Sequence, residues 1–177
     1  MFIRSERLFL RPAFPEDCEA ILAGINDEAV VRNLARAPWP YGIDDARAFA
    51  ALPQDMRLPH FLVTLPGVGV IGSAGMGEHE GLPEIGYWIA RDHWGLGYAS
   101  EAAWTALRCG FDRLSLDQVV AFTAVDNLPS EKVMQAIGMK HDPAGDFDHP
   151  TLAPDHPLSR HLLYRISREQ WLKTMHG

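Results

Sequence analysis

Two glycines separated by a single residue, Gly95 and Gly97, lie between a strand-like apolar stretch, residues 84–90, and an alanine-rich, helix-like stretch, residues 98–114. Glycine lets the backbone approach a ligand closely, and the free amides that open a helix attract anions together with the helix dipole. The spacing therefore predicts an anion site, most naturally for phosphate, on the backbone of residues 95–100. A tight strand-to-helix connection without a ligand is the alternative that the spacing alone leaves open.

The segment from Trp94 to Ala102, WGLGYASEA, resembles the acetyl-CoA pyrophosphate loop of the GCN5-related N-acetyltransferases (GNATs), in the form found in ribosomal-protein alanine acetyltransferases of the RimJ/RimL type. Two further segments resemble the same family in the same order. Residues 5–12, SERLFLRP, are similar to its first strand, and residues 127–139 are similar to its Asn-x-x-Ser segment and closing Gly-hydrophobic pair. Asp92 departs from the pattern, since the family often has Gln or Arg there, but backbone amide donors do not depend on that side chain.

The resemblance implies a single N-acetyltransferase domain, residues 1–177, of the α/β (α+β) class with the GNAT fold. This fold is a mixed, mostly antiparallel, seven-stranded sheet flanked by helices, with a parallel pair of central strands. The sequence patterns agree: residues 60–65 and 68–76 predict a hairpin, and a helix between the 84–90 and 117–124 strands predicts a parallel crossover. Gly86 predicts a bulge, which in the family splays the strands to admit pantetheine.

Other elements follow from periodicity, prolines and capping residues. The predicted strands and helices are a first strand around 8–10, helices at 15–23, 27–34, from 44, 129–138 and 169–175, and a last strand at 161–166. Residues 142–158, with four prolines and four aspartates, predict a long loop of functional importance.

The resemblance implies acetyl-CoA as co-substrate. The residues expected to bind it are Trp88, Ile89, Gly95, Leu96, Gly97, Tyr98, Ala99, Ser100 and Asn127. Asn127 matches the asparagine that bonds the pantetheine arm in the family, and it is also expected to cap the next helix. Ser130 corresponds to the serine near the CoA sulfur, where its hydroxyl can donate to the thiolate. The tyrosine that more often acts as acid a few residues later in the family has no counterpart here.

Acetyl transfer to an amine requires a base that removes a proton from the amine. Glu84 occupies a position where some members of the family carry this base; a solvent-facing carboxylate at a strand edge is the alternative. Asp148 and His149 are rivals, because they lie about where RimL-type enzymes have a catalytic glutamate and because histidine titrates near neutrality. A strand holds a catalytic group more accurately than a loop does. Glu84 is therefore the preferred base, and Asp148 and His149 are expected to line the acceptor pocket.

Two aromatic residues, Trp39 and Tyr41, follow the second predicted helix. In the family this helical region borders the acceptor site, which makes both residues predicted acceptor contacts; core or hinge aromatics are the equal alternative. The aspartates and histidines of the 142–158 loop can also be interpreted as a metal site. They lack the usual ligand spacing, so no metal is predicted.

Composition limits the partners. With 47% hydrophobic residues and a net charge of −7, the chain fits one globular domain without a general nucleic-acid-binding surface, and its acceptor is expected to be neutral or cationic. It lacks an apolar run long enough for a membrane span and an N-terminal signal pattern, which predicts a cytoplasmic protein. The resemblance leaves a homodimer open.

The predicted function is an N-acetyltransferase that moves an acetyl group from acetyl-CoA to an amine by direct transfer, the acceptor being a protein N-terminal amine or a small-molecule amine. A non-catalytic acyl-CoA-binding or sensory module of the same fold is the alternative. A Rossmann-type nucleotide site is excluded, because the Gly-x-Gly follows an antiparallel meander and no acidic residue closes a second βαβ strand at the expected distance.

Overall fold

A computed structural model describes residues 1–34, 36–150, 152–153, 155–156 and 158–176. Residues 151, 154 and 157 of the predicted 142–158 loop lie outside the described residues. Of the helices in these ranges, none is both long and apolar enough to cross a membrane.

The described elements agree with most of those expected from the sequence. The strands are β1 (Ile3–Arg4), β2 (Phe9–Arg11), β3 (His60–Leu65), β4 (Gly69–His79), β5 (Leu82–Ile89), β6 (Gln118–Ala124), β7 (Lys140–His141), β8 (Phe147–Asp148) and β9 (Arg160–Ser167). The helices are α1 (Cys18–Ile25), α2 (Glu28–Val31), α3 (Ile43–Ala50), α4 (Tyr98–Asp112), α5 (Leu128–Ala136) and α6 (Arg168–His176). The largest difference in length is α2, which covers only part of the predicted 27–34 helix.

The strands form one sheet in the order β1-β2-β3-β4-β5-β6-β9-β7, and β8 also pairs with β9. Every pairing is antiparallel except that of β5 with β6, which α4 connects. The predicted fold class, a mostly antiparallel mixed sheet with one parallel central pair, is confirmed. The predicted count of seven strands is too low: the described residues form nine, of which β1, β7 and β8 have only two residues each.

The parallel pair of strands opens almost as soon as it forms. Glu84 of β5 is in register with Val120 of β6, and no further pair follows in these two fully described strands. The prediction of a bulge at Gly86 is wrong. The register between β4 and β5 has no shift from the Gly72–Ile89 pair to the His79–Leu82 pair. The opening in the sheet comes instead from the divergence of β5 and β6.

Residues that follow one another along a strand point to opposite faces of the sheet. Phe61 of β3 belongs to a hydrophobic cluster with α4, α5 and α6, whereas its neighbour Leu62 belongs to a second cluster with α1, α2 and α3. The sheet therefore has an α4–α6 face and an α1–α3 face. On β5, Tyr87 packs against the first cluster and Trp88 against the second. Alternation from Trp88 places Glu84 on the α1–α3 face.

Local sequence determines the ends of α5, the helix that follows the opening. The Asn127 side chain accepts a hydrogen bond from the Ser130 amide at 3.4 Å, which confirms the predicted helix cap. Pro129 occupies the first turn, where its missing N–H has no cost. Gly138 follows the helix at φ +88°, a left-handed conformation that glycine adopts without strain. These ends hold Asn127 and Ser130 at the opening between β5 and β6.

A buried ion pair fixes the turn between β2 and the α1–α3 face. Asp17, only 8% exposed, accepts two bonds from Arg11, each at 2.7 Å, and one from the Phe14 amide at 2.8 Å. The bond from Arg11 is the main reason that the pKa of Asp17 lies below its ordinary value. Asp17 thus stabilises the fold in its ionised form.

Replacing Asp17 with Asn should lower the free energy of unfolding at pH 7 by about 1.5–3 kcal/mol, because a charged partner of Arg11 is lost. This stabilisation is complete above the ordinary aspartate pKa and is lost as the pH falls through the lower pKa of the folded state. Urea unfolding of both proteins should therefore show a difference that shrinks in acid. Asp44→Asn, which removes an exposed partner of Arg47, is the control and should change stability by less than about 1 kcal/mol. A loss for Asp17→Asn no larger than that of the control would contradict this role.

Candidate active site

A cleft of about 1050 Å³ occupies the opening between β5 and β6 and extends along the start of α4. It brings together most of the residues predicted to bind the cofactor or to act in catalysis. Those that line it are Tyr41, Glu84, Trp88, Ile89, Gly95, Gly97, Tyr98, Ala99, Ser100, Asn127 and Ser130. Within the described lining, Leu96, Trp39, Asp148 and His149 are absent.

The glycine loop has the geometry of an anion site. Gly95 and Gly97 have φ angles of +73° and +79°, and α4 begins immediately afterwards at Tyr98. No side chain caps this helix, and the amides of residues 97–100 have no acceptor in the described part of the chain. These amides point out of a 15-residue helix at its positive end. The residues present therefore fit a pyrophosphate group.

An N-terminal segment fastens this loop from outside the cleft. The Arg7 guanidinium lies 2.7 Å from the Glu101 carboxylate and donates to the carbonyl of Leu96 at 2.9 Å, and it also stacks on the ring of Tyr98. Ser5 donates a further bond to Glu101 at 2.7 Å. We call this set of contacts the Arg7–Glu101 clasp. It holds both sides of the Gly97 turn, so the seat for the anion is preorganised.

A second contact connects the loop to β5. The indole N–H of Trp94 donates to the carbonyl of Ile89 at 2.6 Å. This bond links the glycine loop to the end of β5 and so helps to set the distance between that strand and the amides of residues 97–100.

Glu84 is buried rather than exposed at a strand edge, so the solvent-facing interpretation is wrong. Its side chain is 12% exposed and accepts a 2.9 Å bond from Nη2 of Arg36, whose own side chain is 66% exposed. Burial raises the pKa of Glu84 above its ordinary value, and the positive charge of Arg36 partly opposes that rise. A carboxyl with a raised pKa is a better proton acceptor near neutrality than an exposed one.

Ser130 has a partner that the sequence analysis missed. The hydroxyl oxygen of Tyr87 lies 3.1 Å from the Ser130 hydroxyl and 3.1 Å from its carbonyl oxygen. Burial raises the pKa of Tyr87, so this phenol keeps its proton. Because successive residues of a strand point to opposite faces, the strand predicted at residues 84–90 already implies that Tyr87 lies on the face opposite Glu84. This was the signal available. The tyrosine that the resemblance implies lies a few residues after Ser130, where this chain has none.

These groups approach the cleft from two sides. Glu84 lies on the α1–α3 face of the sheet, whereas Tyr87 points to the α4–α6 face, where α5 supplies Ser130. The two sides communicate because β5 and β6 separate beyond the Glu84 and Val120 pair. A group that occupies the opening can therefore contact a carboxylate on one face and a hydroxyl on the other.

The predicted acceptor residues do not lie together. Tyr41 is buried in the cluster of the α1–α3 face and lines the cleft, whereas Trp39 is 51% exposed. The Asp148 side chain is 68% exposed and lies 3.6 Å from Arg160. The ring of His149 packs 5.1 Å from that of His161, which does line the cleft. His149 thus stands one ring away from the cleft.

The chain matches the sequence model of the acetyltransferase (GNAT) domain over residues 7–140. It belongs to the GNAT acetyltransferase family. Among its relatives, the uncharacterized N-acetyltransferase YnaD of Bacillus subtilis is 28% identical over 179 residues, covering 97% of this chain and 99% of YnaD. A GNAT-family acetyltransferase of Bacillus anthracis is 29% identical, with a TM-score of 0.80 over 96% of this chain and 99% of that one.

A putative ribosomal-protein-serine acetyltransferase of Vibrio cholerae also shares the GNAT fold. It is 18% identical, with a TM-score of 0.74, covering 94% of this chain and 97% of that one. At this identity the similarity concerns the fold alone.

Acetyl-CoA is expected to raise the melting temperature of the protein, and replacing Gly97 with Val should abolish that rise. The side chain would strain a left-handed backbone at a cost of about 1–2 kcal/mol, and its Cβ would lie 3.3 Å from the Arg7 guanidinium. Each variant is compared with its own ligand-free melting temperature, so that a general loss of stability is subtracted.

Gly67→Val is the matched control for this prediction. Gly67 has the same φ angle of +79°, lies in the turn between β3 and β4, and has nothing within 4 Å of an added Cβ. It should carry the same backbone penalty and keep the full response to acetyl-CoA. Equal responses of both variants would remove the loop from the cofactor site.

Proposed function

We propose that this GNAT chain is an N-acetyltransferase that moves the acetyl group of acetyl-CoA directly to an amine, without an acetylated enzyme. One observation carries the proposal: Glu84 and the Ser130–Tyr87 pair reach the same opening from opposite faces of the sheet. A base and a hydroxyl donor on opposite sides of one group suit a displacement in which the amine enters on one side and the thiolate leaves on the other.

The cleft offers acetyl-CoA a place along its length. The amides of residues 97–100 would hold the pyrophosphate, and the stretch past Trp88, Ile89 and Asn127 would hold the pantetheine arm. The thioester would then lie in the opening between β5 and β6. The exposed Leu96 contributes its carbonyl to the Arg7–Glu101 clasp rather than its side chain to the cleft.

Glu84 accepts a proton from the acceptor amine, directly or through a water molecule. The neutral nitrogen then attacks the thioester carbonyl carbon, so that a C–N bond forms and the C–S bond breaks. The second surplus proton of the nitrogen goes to the departing thiolate, which leaves as the thiol of CoA. Ser130 donates a hydrogen bond to the sulfur as negative charge develops on it. In this step the Tyr87 hydroxyl, 3.1 Å from that of Ser130, would donate its hydrogen bond to the Ser130 oxygen, which would leave the Ser130 proton to point toward the sulfur.

For the acceptor, the RimJ/RimL-like motifs favour a protein N-terminal amine, with a small-molecule amine as the other class. The net charge of −7 favours a cationic or neutral acceptor in either class. Trp39, Asp148 and His149 remain predicted acceptor contacts that would act from beyond the cleft, and Tyr41 would act from within it. Cytoplasmic location and a homodimer likewise remain part of the proposal.

The function is tested by release of CoA in the presence of a mixed panel of peptides, polyamines and amino acids, with mass detection of acetylated products from a cell extract. An acetylated amine that depends on the enzyme supports the proposal. Tight binding of acetyl-CoA without any acetylated product would instead indicate the non-catalytic acyl-CoA-binding module.

Glu84→Gln should lower turnover on the order of 10²-fold or more, the usual range for the removal of a general base. Because burial raises the pKa of Glu84, wild-type turnover should fall as the pH drops through that raised value. The loss in Glu84→Gln should shrink at high pH, where more of the amine is already neutral. The measurement is the pH dependence of kcat for both proteins.

Glu78→Gln, on an exposed position of the neighbouring strand β4, is the control and should keep the wild-type pH profile. His149→Ala should mainly raise the KM for the acceptor. If turnover instead collapsed in His149→Ala while Glu84→Gln stayed active at every pH, the role of base would belong to the loop.

Ser130→Ala should lower kcat more than it raises the KM for acetyl-CoA, because a donor to a developing thiolate acts mainly in the transition state. Tyr87→Phe should cause a smaller loss, and adding it to Ser130→Ala should cause little more, since Tyr87 acts through Ser130. Tyr164→Phe removes a hydroxyl that bonds Glu131 and lies outside the described lining of the cleft, so it should leave kcat unchanged. Wild-type turnover in Ser130→Ala would show that water stabilises the thiolate.

A further inference from the structure

An arginine stands beside the proposed base. Nη2 of Arg36 donates to Glu84 at 2.9 Å and to the carbonyl of Glu78 at 3.1 Å. Arginine has five donors, and the Nη1 and Nε donors of Arg36 have no acceptor in the described part of the chain. Both Arg36 and Glu84 line the cleft. The N–H donors of Nη1 and Nε therefore remain available next to a carboxylate that would accept a proton.

This arrangement constrains the acceptor. An amine arrives at Glu84 mostly as a cation. To reach Glu84 it must come within a few ångströms of the permanent positive charge of Arg36. That repulsion is relieved if the acceptor also carries a negative charge close to its amine. A carboxylate can accept a charge-assisted hydrogen bond from Nη1 or Nε of Arg36, and such a bond is about twice as strong as one between neutral groups. The pair of charges in the cleft is thus complementary to a pair of opposite charges on the acceptor.

We propose that the acceptor is a free α-amino acid, whose α-carboxylate binds Arg36 while its α-amine faces Glu84. The inference rests on the proposed function and narrows its acceptor. An α-amino acid carries both charged groups on one carbon, which suits two protein groups in direct contact. A peptide N-terminus has a neutral amide where this carboxylate would be, so it lacks the partner for Arg36.

The surroundings of the charge pair allow room for such a molecule. Gly75 and Gly86 are neighbours in register across β4 and β5, and both line the cleft on the same face as Glu84. Nothing lies within 4 Å of a Cβ added at Gly86. Phe49 and Phe122 supply aromatic surface to the same cleft. This lining suits an amino acid with an apolar side chain.

The experiment compares alanine, leucine and phenylalanine with the α-amide of each as acceptor, at saturating acetyl-CoA. The amide keeps the side chain and the amine but replaces the carboxylate with a neutral group. For the wild type, kcat/KM should be higher for the amino acid than for its amide, on the order of 10- to 100-fold for at least one pair. Arg36→Gln should lower this ratio by about the same factor, and Arg36→Lys should have an intermediate effect.

The ratio isolates recognition of the carboxylate. Loss of Arg36 also changes the pKa of Glu84, but that change affects the amino acid and its amide alike and cancels when the ratios of two enzymes are compared. The difference in amine pKa between the two acceptors cancels in the same way. Arg47→Gln is the matched control: Arg47 is 63% exposed and pairs with Asp44 at 2.8 Å outside the described lining, and its loss should leave the ratio unchanged.

Three results would overturn the inference. The first is equal acetylation by the wild type of free amino acids and of their amides or short peptides. The second is an unchanged ratio in Arg36→Gln, which would make Arg36 only the neutralising partner of Glu84. The third is acetylation of peptides or polyamines but of no amino acid, which would leave the proposed function standing. Acetylation of no amine at all would refute the proposed function itself.

Discussion

The site depends on how little β5 and β6 pair. Parallel neighbours need a long crossover, here α4, and nothing in that connection obliges them to run together for their full length. Their ladder has one registered pair, Glu84 with Val120, and then stops. Beyond that point the side of β5 that faces β6 lacks a strand partner within the described residues. Backbone groups in such a gap need hydrogen bonds from elsewhere, and an extended ligand with its own amides can supply them.

Local patterns predicted the sheet and the glycine loop well, because each signal is contained in a few consecutive residues. Asn127 and Gly138, for example, determine the two ends of α5 by themselves. Contacts between distant segments carried no such signal. The 43-residue separation between Tyr87 and Ser130, and the 48-residue separation between Arg36 and Glu84, join elements whose relative position only the packed sheet determines. Burial of Glu84 was missed for the same reason.

Glu84 experiences two opposing influences whose balance depends on what occupies the cleft. Burial favours the neutral acid, whereas the guanidinium of Arg36 favours the carboxylate. An anion that draws Arg36 away from Glu84 weakens the effect of the guanidinium, so that the pKa of Glu84 rises further. A cation that displaces Arg36 stabilises the Glu84 carboxylate in its place. Arg36 itself is mostly exposed, so it can adjust its position without disturbing the hydrophobic clusters on either face of the sheet.

The Arg7–Glu101 clasp joins residues that are 94 positions apart. Arg7 lies between β1 and β2, at the outer edge of the sheet. Sheet edges open locally more often than centres do. Each time this edge opens, Arg7 releases the glycine loop; conversely, an anion seated on the loop favours the closed edge by the same free energy. Amide hydrogens of residues 3–11 would then exchange more slowly with cofactor bound, and the first strands of the chain would report events at a distant helix terminus.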